Sequence, residues 1–329
     1  MTVYPRLTVI EFCSRVSIFT AIVLISSAMI GSISLAGQGS EDTTGNANGQ
    51  SLQTDTTNST QPFPQNPDGK PLWYSMVTNV PGDWVKYYNI TFRSDKIGEY
   101  SAIAALTGIL IATDNQTWQA QKKWDKESAT VSSVSNFITD FGQGDAQAAL
   151  ASAYLLYGLT FDDNRSLRTG SEIVQAILSG GIVVQLIKHV TGRESPFVST
   201  SPGGAWRFFP NQFDYAKRVP HYDAFPTGHL CTSISTVVVI AENYPQISWI
   251  RPVGYLIVGA IGVTMVNIGI HWYSDYPLGL VLGYTFGMIA AHPEGYDVAN
   301  FGKDEPHALT IQPTLTPGGA GIKMSLNLN

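Results

Sequence analysis

The chain has 329 residues, 44% of them hydrophobic and only 13% charged, with a net charge of −6 and a pI near 5.5. The charged share is about half of the ~25% usual for soluble domains, which points to a membrane or to a mostly buried helical bundle. No basic stripe stands out, which excludes nucleic acid as a partner. With only Cys13 and Cys231 present, neither a disulfide framework nor a cysteine-based metal site is expected.

At the N-terminus, Arg6 and Arg15 precede an uncharged segment running from Val16 to Ala36. Ser34 and Ala36 stand just before Gly37 as the two small residues that a signal-peptidase site requires. The same segment is long enough to cross a bilayer as a helix. Residues 1–36 therefore read as a signal peptide or an N-terminal membrane anchor, and either one exports the remainder. Gln38 occupies the place where a lipoprotein box needs cysteine, so lipidation is rejected. Residues 37–70 are rich in Gly, Ser, Thr, Asn and Gln, cannot offset their ordering entropy by burial, and read as a flexible polar linker.

A folded domain is expected over residues 71–292, with a C-terminal tail over 293–329. Six helix-length apolar segments follow in order: Ile97–Thr113, Ala146–Leu159, Ser171–Val190, Gly228–Glu242, Val253–Ile270 and Asp275–Ala291. Gly192 reads as the stop of the third. Six helices joined by polar loops predict an all-α fold, a bundle of about six core helices. Only Val253–Ile270 approaches the ~20 apolar residues of a span, which favours a periplasmic bundle over a polytopic membrane protein. In the tail, Ala308–Leu315 and Gly321–Asn329 flank a Thr-Pro-Gly-Gly turn and alternate as a small β-hairpin does.

Three short stretches carry the chemistry: Lys188–Pro196 (KHVTGRESP), Phe225–His229 (FPTGH) and His271–Asp275 (HWYSD). Asp275 follows His271 at i+4, close enough for its carboxylate to fix the imidazole tautomer and leave the other ring nitrogen free to attack. In Pro226-Thr227-Gly228-His229 the glycine permits close backbone approach, and the start of the next helix directs N–H groups at an anion. His229 beside that anion suits an acid or base; the alternative is an ordinary helix start capped by Thr227. Lys188, near a helix end, either meets an anion or offsets the helix dipole. His189, His221, His292 and His307 read as structural.

Taken together and in this order, these stretches resemble the type 2 phosphatidic acid phosphatase and vanadium haloperoxidase superfamily. That family carries K-x6-R-P, then P-S-G-H, then S-R-x5-H-x3-D on a helical bundle, and the resemblance spans roughly residues 97–292. It implies phosphate binding by Lys188, Thr227 and Gly228, protonation of the leaving group by His229, and a phosphohistidine on His271 oriented by Asp275. No metal and no cofactor are implied for that chemistry. The implied partner is a phosphorylated small molecule or a lipid headgroup, with a membrane surface near the site. The function implied is a phosphoric monoester or lipid (pyro)phosphate hydrolase of the cell envelope. The alternatives are a vanadium-dependent haloperoxidase and a non-catalytic, lipid- or partner-binding descendant of the fold.

The sequence departs from the pattern at both motif arginines, where Ser195 and Met265 stand, and Thr264 replaces the serine before the second. Losing two charge-assisted hydrogen bonds costs about 3–6 kcal/mol of anion binding. That corresponds to a rate factor on the order of 10² to 10⁴. Arg193 lies two residues before Ser195, on the same side of an extended loop, and is expected to fill the vacated place as a phosphate ligand. The other reading of Arg193 is an ion pair with Glu194 or Asp223.

Overall fold

A computed structural model describes residues 72–127, 129–293, 309–316 and 319–326. The expected signal or anchor and the linker lie outside the described residues, as does His307. Ten α-helices occur among them: α1 Leu72–Thr78, α2 Val80–Thr91, α3 Ile97–Glu127, α4 Ala129–Asp140, α5 Gly144–Phe161, α6 Asn164–Thr191, α7 Gln212–Lys217, α8 Gly228–Asn243, α9 Ile250–Asn267 and α10 Tyr276–Ala291. The fold is the expected all-α bundle, and all six anticipated segments are helical over most of their length. The helices not anticipated are α1, α2, α4 and the short α7.

Helix α6 sits at the centre, packed against α5, α8 and α10, while α9 and α4 lie on the far side of α8. Its start is fixed by Asp163, whose side chain accepts from the Arg165 N–H at 3.0 Å. Its end is fixed by Gly192, which takes a left-handed conformation (φ 53°) and returns its N–H to the Lys188 carbonyl at 3.0 Å. A side chain at Gly192 would also strike the Arg207 carbonyl, so only glycine closes the helix there.

Among the described residues, apolar clusters from several helices hold the bundle together. One joins Ala151 and Tyr154 of α5, Ile173 and Ala176 of α6, Val239 of α8 and Ala290 of α10. Another joins Val184, Cys231, Leu282, Phe286 and Ile289, with Trp84 and Tyr87 of α2 against it. Helices α8 and α10 approach so closely that a Cβ on Gly283 would meet the Cys231 carbonyl oxygen. That contact draws the start of α8 and the residues before α10 toward one another, and the site lies there.

Among the described residues, two helices, Asn164–Thr191 and Ile250–Asn267, are long and apolar enough to cross a membrane by length and composition. Sequence reading singled out the second alone, because it took the first as interrupted at Ser179-Gly180-Gly181. Large apolar side chains face outward on several helices, among them Leu186, Val190, Leu256 and Ile257. These features are compatible with membrane association.

The C-terminal residues form a second compact unit, His292–Asn329. Within it β1 Leu309–Thr316 pairs antiparallel with β2 Gly319–Leu326, from Leu309 opposite Leu326 to Thr316 opposite Gly319. The hairpin anticipated from the alternation is present.

A buried polar knot ties α2 to α6. Asp83 is fully buried; its Oδ2 accepts from Gln175 Nε2 and Ser179 Oγ, both at 2.8 Å, while its Oδ1 has no partner. Burial raises the Asp83 carboxyl above its ordinary value, against the pull of Gln175, Ser179 and Lys86. A raised folded-state value means that the carboxyl favours folding at low pH and opposes it once pH rises through that value. Asp83→Asn keeps the two accepted hydrogen bonds and removes the buried charge. Chemical unfolding at pH 7 should therefore show a gain of about 1–2 kcal/mol, shrinking as the pH is lowered.

Candidate active site

Four pieces of chain converge at one end of α6. Lys188 lies in its last turn and is 5% exposed. Its Nζ is 3.5 Å from Asp223 Oδ2, and a Cβ built on Gly228 would come within 3.9 Å of it. The ammonium therefore stands over the start of α8, beside an acidic neighbour, and does more than offset the dipole of its own helix.

The Phe225–Pro226 peptide is cis, and the turn after it is tied on both sides. Thr191 Oγ1 donates to the Phe225 carbonyl at 2.9 Å, and the Thr227 N–H donates to the Asp275 carbonyl at 3.1 Å. Thr227 caps α8: its Oγ1 accepts from the Leu230 N–H at 3.5 Å. The same hydroxyl lies 4.0 Å from Met265 Sδ, and Thr227 is fully buried. The capping reading of Thr227 thus describes what this hydroxyl does in the structure. With Leu230 taken by the cap, the N–H groups of Gly228 and His229 remain at the helix start without an intrahelical acceptor.

His271 and Asp275 do not share an α-helix. His271 lies outside any helix, Trp272 is extended, a 3-10 turn spans Tyr273–Asp275, and α10 begins after it. The pair nevertheless meets, with His271 Nδ1 3.3 Å from Asp275 Oδ2. The Trp272 N–H donates to the same oxygen at 2.8 Å, and Asp275 is fully buried. His271 faces His229 across the cleft, the ring centroids 5.6 Å apart at 75°. Burial pushes His229 down to about 3, with the nearby His271 and Lys188 adding to the effect, so its ring is neutral at pH 7.

The two arginine positions of the motif hold no cation. Met265 is fully buried and Ser195 nearly so, with the Ser195 N–H donating to the Pro220 carbonyl at 2.9 Å. Arg193, expected as a phosphate ligand in their stead, is engaged elsewhere. Its Nη1 donates to Asp275 Oδ1 and to Ser274 Oγ, both at 2.5 Å. Its Nη2 donates to Asp114 Oδ2 at 2.7 Å and to the Gly203 carbonyl at 2.8 Å. The side chain is fully buried, with Trp206 and Trp272 beside the guanidinium. The expectation is corrected: two carboxylates compete successfully for the guanidinium, and neither is Glu194 or Asp223.

Glu194, next in the chain, organises the connection between the first two motifs. It is fully buried and accepts from the Thr200 N–H (2.8 Å), the Ala205 N–H (3.1 Å) and Arg207 Nη1 (2.7 Å). These donors outweigh burial, which by itself raises the carboxyl, and hold it at about 2. Arg207 is thereby occupied as well. Among the described residues, Lys188 is the cation left beside the two histidines. His189 and His221 are structural as expected, one stacked on Tyr215 at 4.1 Å and the other 3.5 Å from Glu194.

Sequence reading missed Asp114, Ser274 and the two tryptophans around Arg193. The apolar segment Ile97–Thr113 ends one residue short of Asp114, and α3 runs on to Glu127. An acid closing an apolar run was the available signal, and nothing local says which turn it meets.

Residues 170–296 match the family model described as the PAP2 superfamily. No curated protein matches the chain. Among solved structures, LpxE of Aquifex aeolicus is similar at 15% identity and a TM-score of 0.40, over 54% of this chain and 93% of that one. A transmembrane PAP2 type phosphatidylglycerolphosphate phosphatase from Bacillus subtilis is similar at 16% identity and a TM-score of 0.39, over 59% and 94%. The stretch that matches the family model holds Lys188, Gly228, His229, His271 and Asp275.

Proposed function

We propose that the protein hydrolyses a phosphoric monoester or a lipid (pyro)phosphate through a phosphohistidine on His271. The observation that carries this reading is the placement of two facing imidazoles, one backed by a buried carboxylate, at a helix start overhung by Lys188. Lys188 and the Gly228 and His229 N–H groups receive the phosphoryl oxygens. The free Nε2 lone pair of His271 forms the N–P bond as the P–O bond to the leaving alkoxide breaks. That alkoxide takes a proton from His229. Water then attacks phosphorus, giving its proton to His229; the N–P bond breaks and phosphate departs.

His229 is neutral in the free protein, yet it has to carry a proton when the leaving group departs. A bound phosphate dianion supplies the reason for the change, since a negative charge beside the ring favours the imidazolium. Binding of inorganic phosphate at pH 8 should therefore take up protons from solution. Calorimetry in buffers of different ionisation enthalpy measures this directly. Binding with no proton uptake would remove His229 from the role of acid.

The outward-facing apolar side chains on α6 and α9, together with exposed Phe208, Phe209 and Phe213 between the first two motifs, favour a substrate presented at a membrane surface. The uncharged segment before residue 37 favours the outer face of that membrane. A second reading is a non-catalytic descendant that binds a lipid or partner, favoured by the single cation left at the site. Phosphate release from a panel of soluble and lipid phosphates, by wild type and His271→Ala, decides between them. Release by the wild type alone supports the enzyme; equal release, or none from either, supports the non-catalytic descendant.

A further inference from the structure

Behind His271 lies a closed group of charges that the proposed steps leave unused. Arg193 holds two carboxylates at once, Asp275 on Nη1 and Asp114 on Nη2, and all three side chains are fully or almost fully buried. Ser274 links Arg193 to Asp114: its Oγ accepts a hydrogen bond from Arg193 Nη1 and donates to Asp114 Oδ2, and its N–H donates to Asp114 Oδ1 at 3.3 Å. Burial raises the Asp114 carboxyl above its ordinary value, while Ser274 and Arg193 pull it back; every neighbour of the carboxyl named here is a donor, and together they favour the carboxylate over the carboxylic acid. The group thus comprises two negative charges and one positive charge in a water-poor interior.

That imbalance bears on His271. A lone Arg193–Asp275 pair would be neutral, and a neutral pair gives little support to a positive imidazole. Asp114 binds the other arm of the guanidinium, so the cluster keeps one net negative charge facing the His271 Nδ1. Phosphorylation of the opposite ring nitrogen makes the imidazole cationic, and the charge of the whole group then closes to zero. Geometry works in the same direction. Arg193 fixes Asp275 Oδ1, leaving Oδ2 to His271 Nδ1 and the Trp272 N–H.

Helix α3 delivers Asp114 as part of a larger brace. Trp118 packs edge-on against Trp272 at 5.9 Å, and Gln121 Nε2 donates to Tyr273 Oη at 2.7 Å. Residues 114, 118 and 121 lie on one face of the helix, and that face grips the turn carrying the histidine. The brace lies outside the 170–296 stretch that matches the family model.

Resting on the phosphohistidine reading above, we propose that Asp114 is a positioning residue for the reaction: through Arg193 and Ser274 it holds Asp275 and leaves the net negative charge that supports His271 as it becomes cationic. The groups facing His271 are Asp275 from its own turn, His229 with Lys188 next to it, and Arg193 and Asp114 behind Asp275. Asp114→Asn should lower kcat on a soluble phosphomonoester by about 10- to 100-fold. KM should stay within about two-fold, as expected when an interaction belongs to the transition state. The acid limb of the kcat–pH profile should move to lower pH, because removing a negative charge makes His271 harder to protonate. Ser274→Ala removes hydrogen bonds but no charge and should leave that limb in place.

An unchanged kcat and pH limb in Asp114→Asn, or a fall in kcat without movement of the limb, overturns the proposal and leaves a structural staple. If Asp114→Asn does not fold, histidine nitrogen NMR of the wild type decides: the proposal requires the His271 proton on Nδ1 at neutral pH, and a proton on Nε2 overturns it. The phosphatase reading fails separately, if His271→Ala releases phosphate as fast as wild type.

Discussion

His271→Ala should reduce phosphate release by at least about 10³-fold, because removing a covalent nucleophile removes both steps built on it. No neighbouring group can replace it. The carboxylate behind it is buried and bound to Arg193, and His229 lies on the other side of the cleft. A rapid acid–base quench with radiolabelled substrate should trap label on wild-type protein as an acid-labile, base-stable adduct, absent from His271→Ala. Asp275→Asn should retain the adduct but form it about 10²- to 10⁴-fold more slowly, since the imidazole loses its fixed tautomer. Adduct in the His271→Ala protein would place the nucleophile elsewhere.

Arg193→Met should lower stability by about 3–5 kcal/mol, the cost of leaving buried charges without their partner. Two carboxylates would face each other across Ser274 with no cation between them, and the face contacts to Trp206 and Trp272 at 4.7 and 5.4 Å would change character. For a chain of this size the loss corresponds to roughly 10 °C in melting temperature. Adding Asp114→Asn to Arg193→Met should recover part of it, because one of the two stranded charges disappears. A double variant as unstable as the single one would mean that packing of the guanidinium, rather than its charge, sets the cost. These measurements read stability alone and stand whatever the protein's reaction is.

The contrast between Lys188 and Arg193 shows how far the residues could be read in advance. Lys188 sits in the last turn of a long helix whose stop, Gly192, is written in the sequence. The next motif begins with a turn and a helix start, so the meeting of the two ends follows from local signals. Arg193 lies one residue past the stop, in a loop whose direction no local rule fixes. Its partners, Asp114 and Asp275, lie far from it in sequence on either side. Thr227 teaches the same lesson at smaller scale: cap and anion donor were both open to it, and packing beneath Met265 selected the cap.

The sequence by itself determined the helical class, the stop at Gly192, the hairpin, and the order of Lys188, Gly228, His229, His271 and Asp275. Periodicity, capping and turn chemistry act over a few residues, and those features need nothing more. Only the tertiary structure decided which charges meet. Close packing of α8 on α10 brings the two histidine rings together edge-on, and α3 inserts Asp114 beside Arg193. A buried guanidinium goes to whichever carboxylates share its dry surroundings, and that depends on how distant helices pack rather than on spacing along the chain.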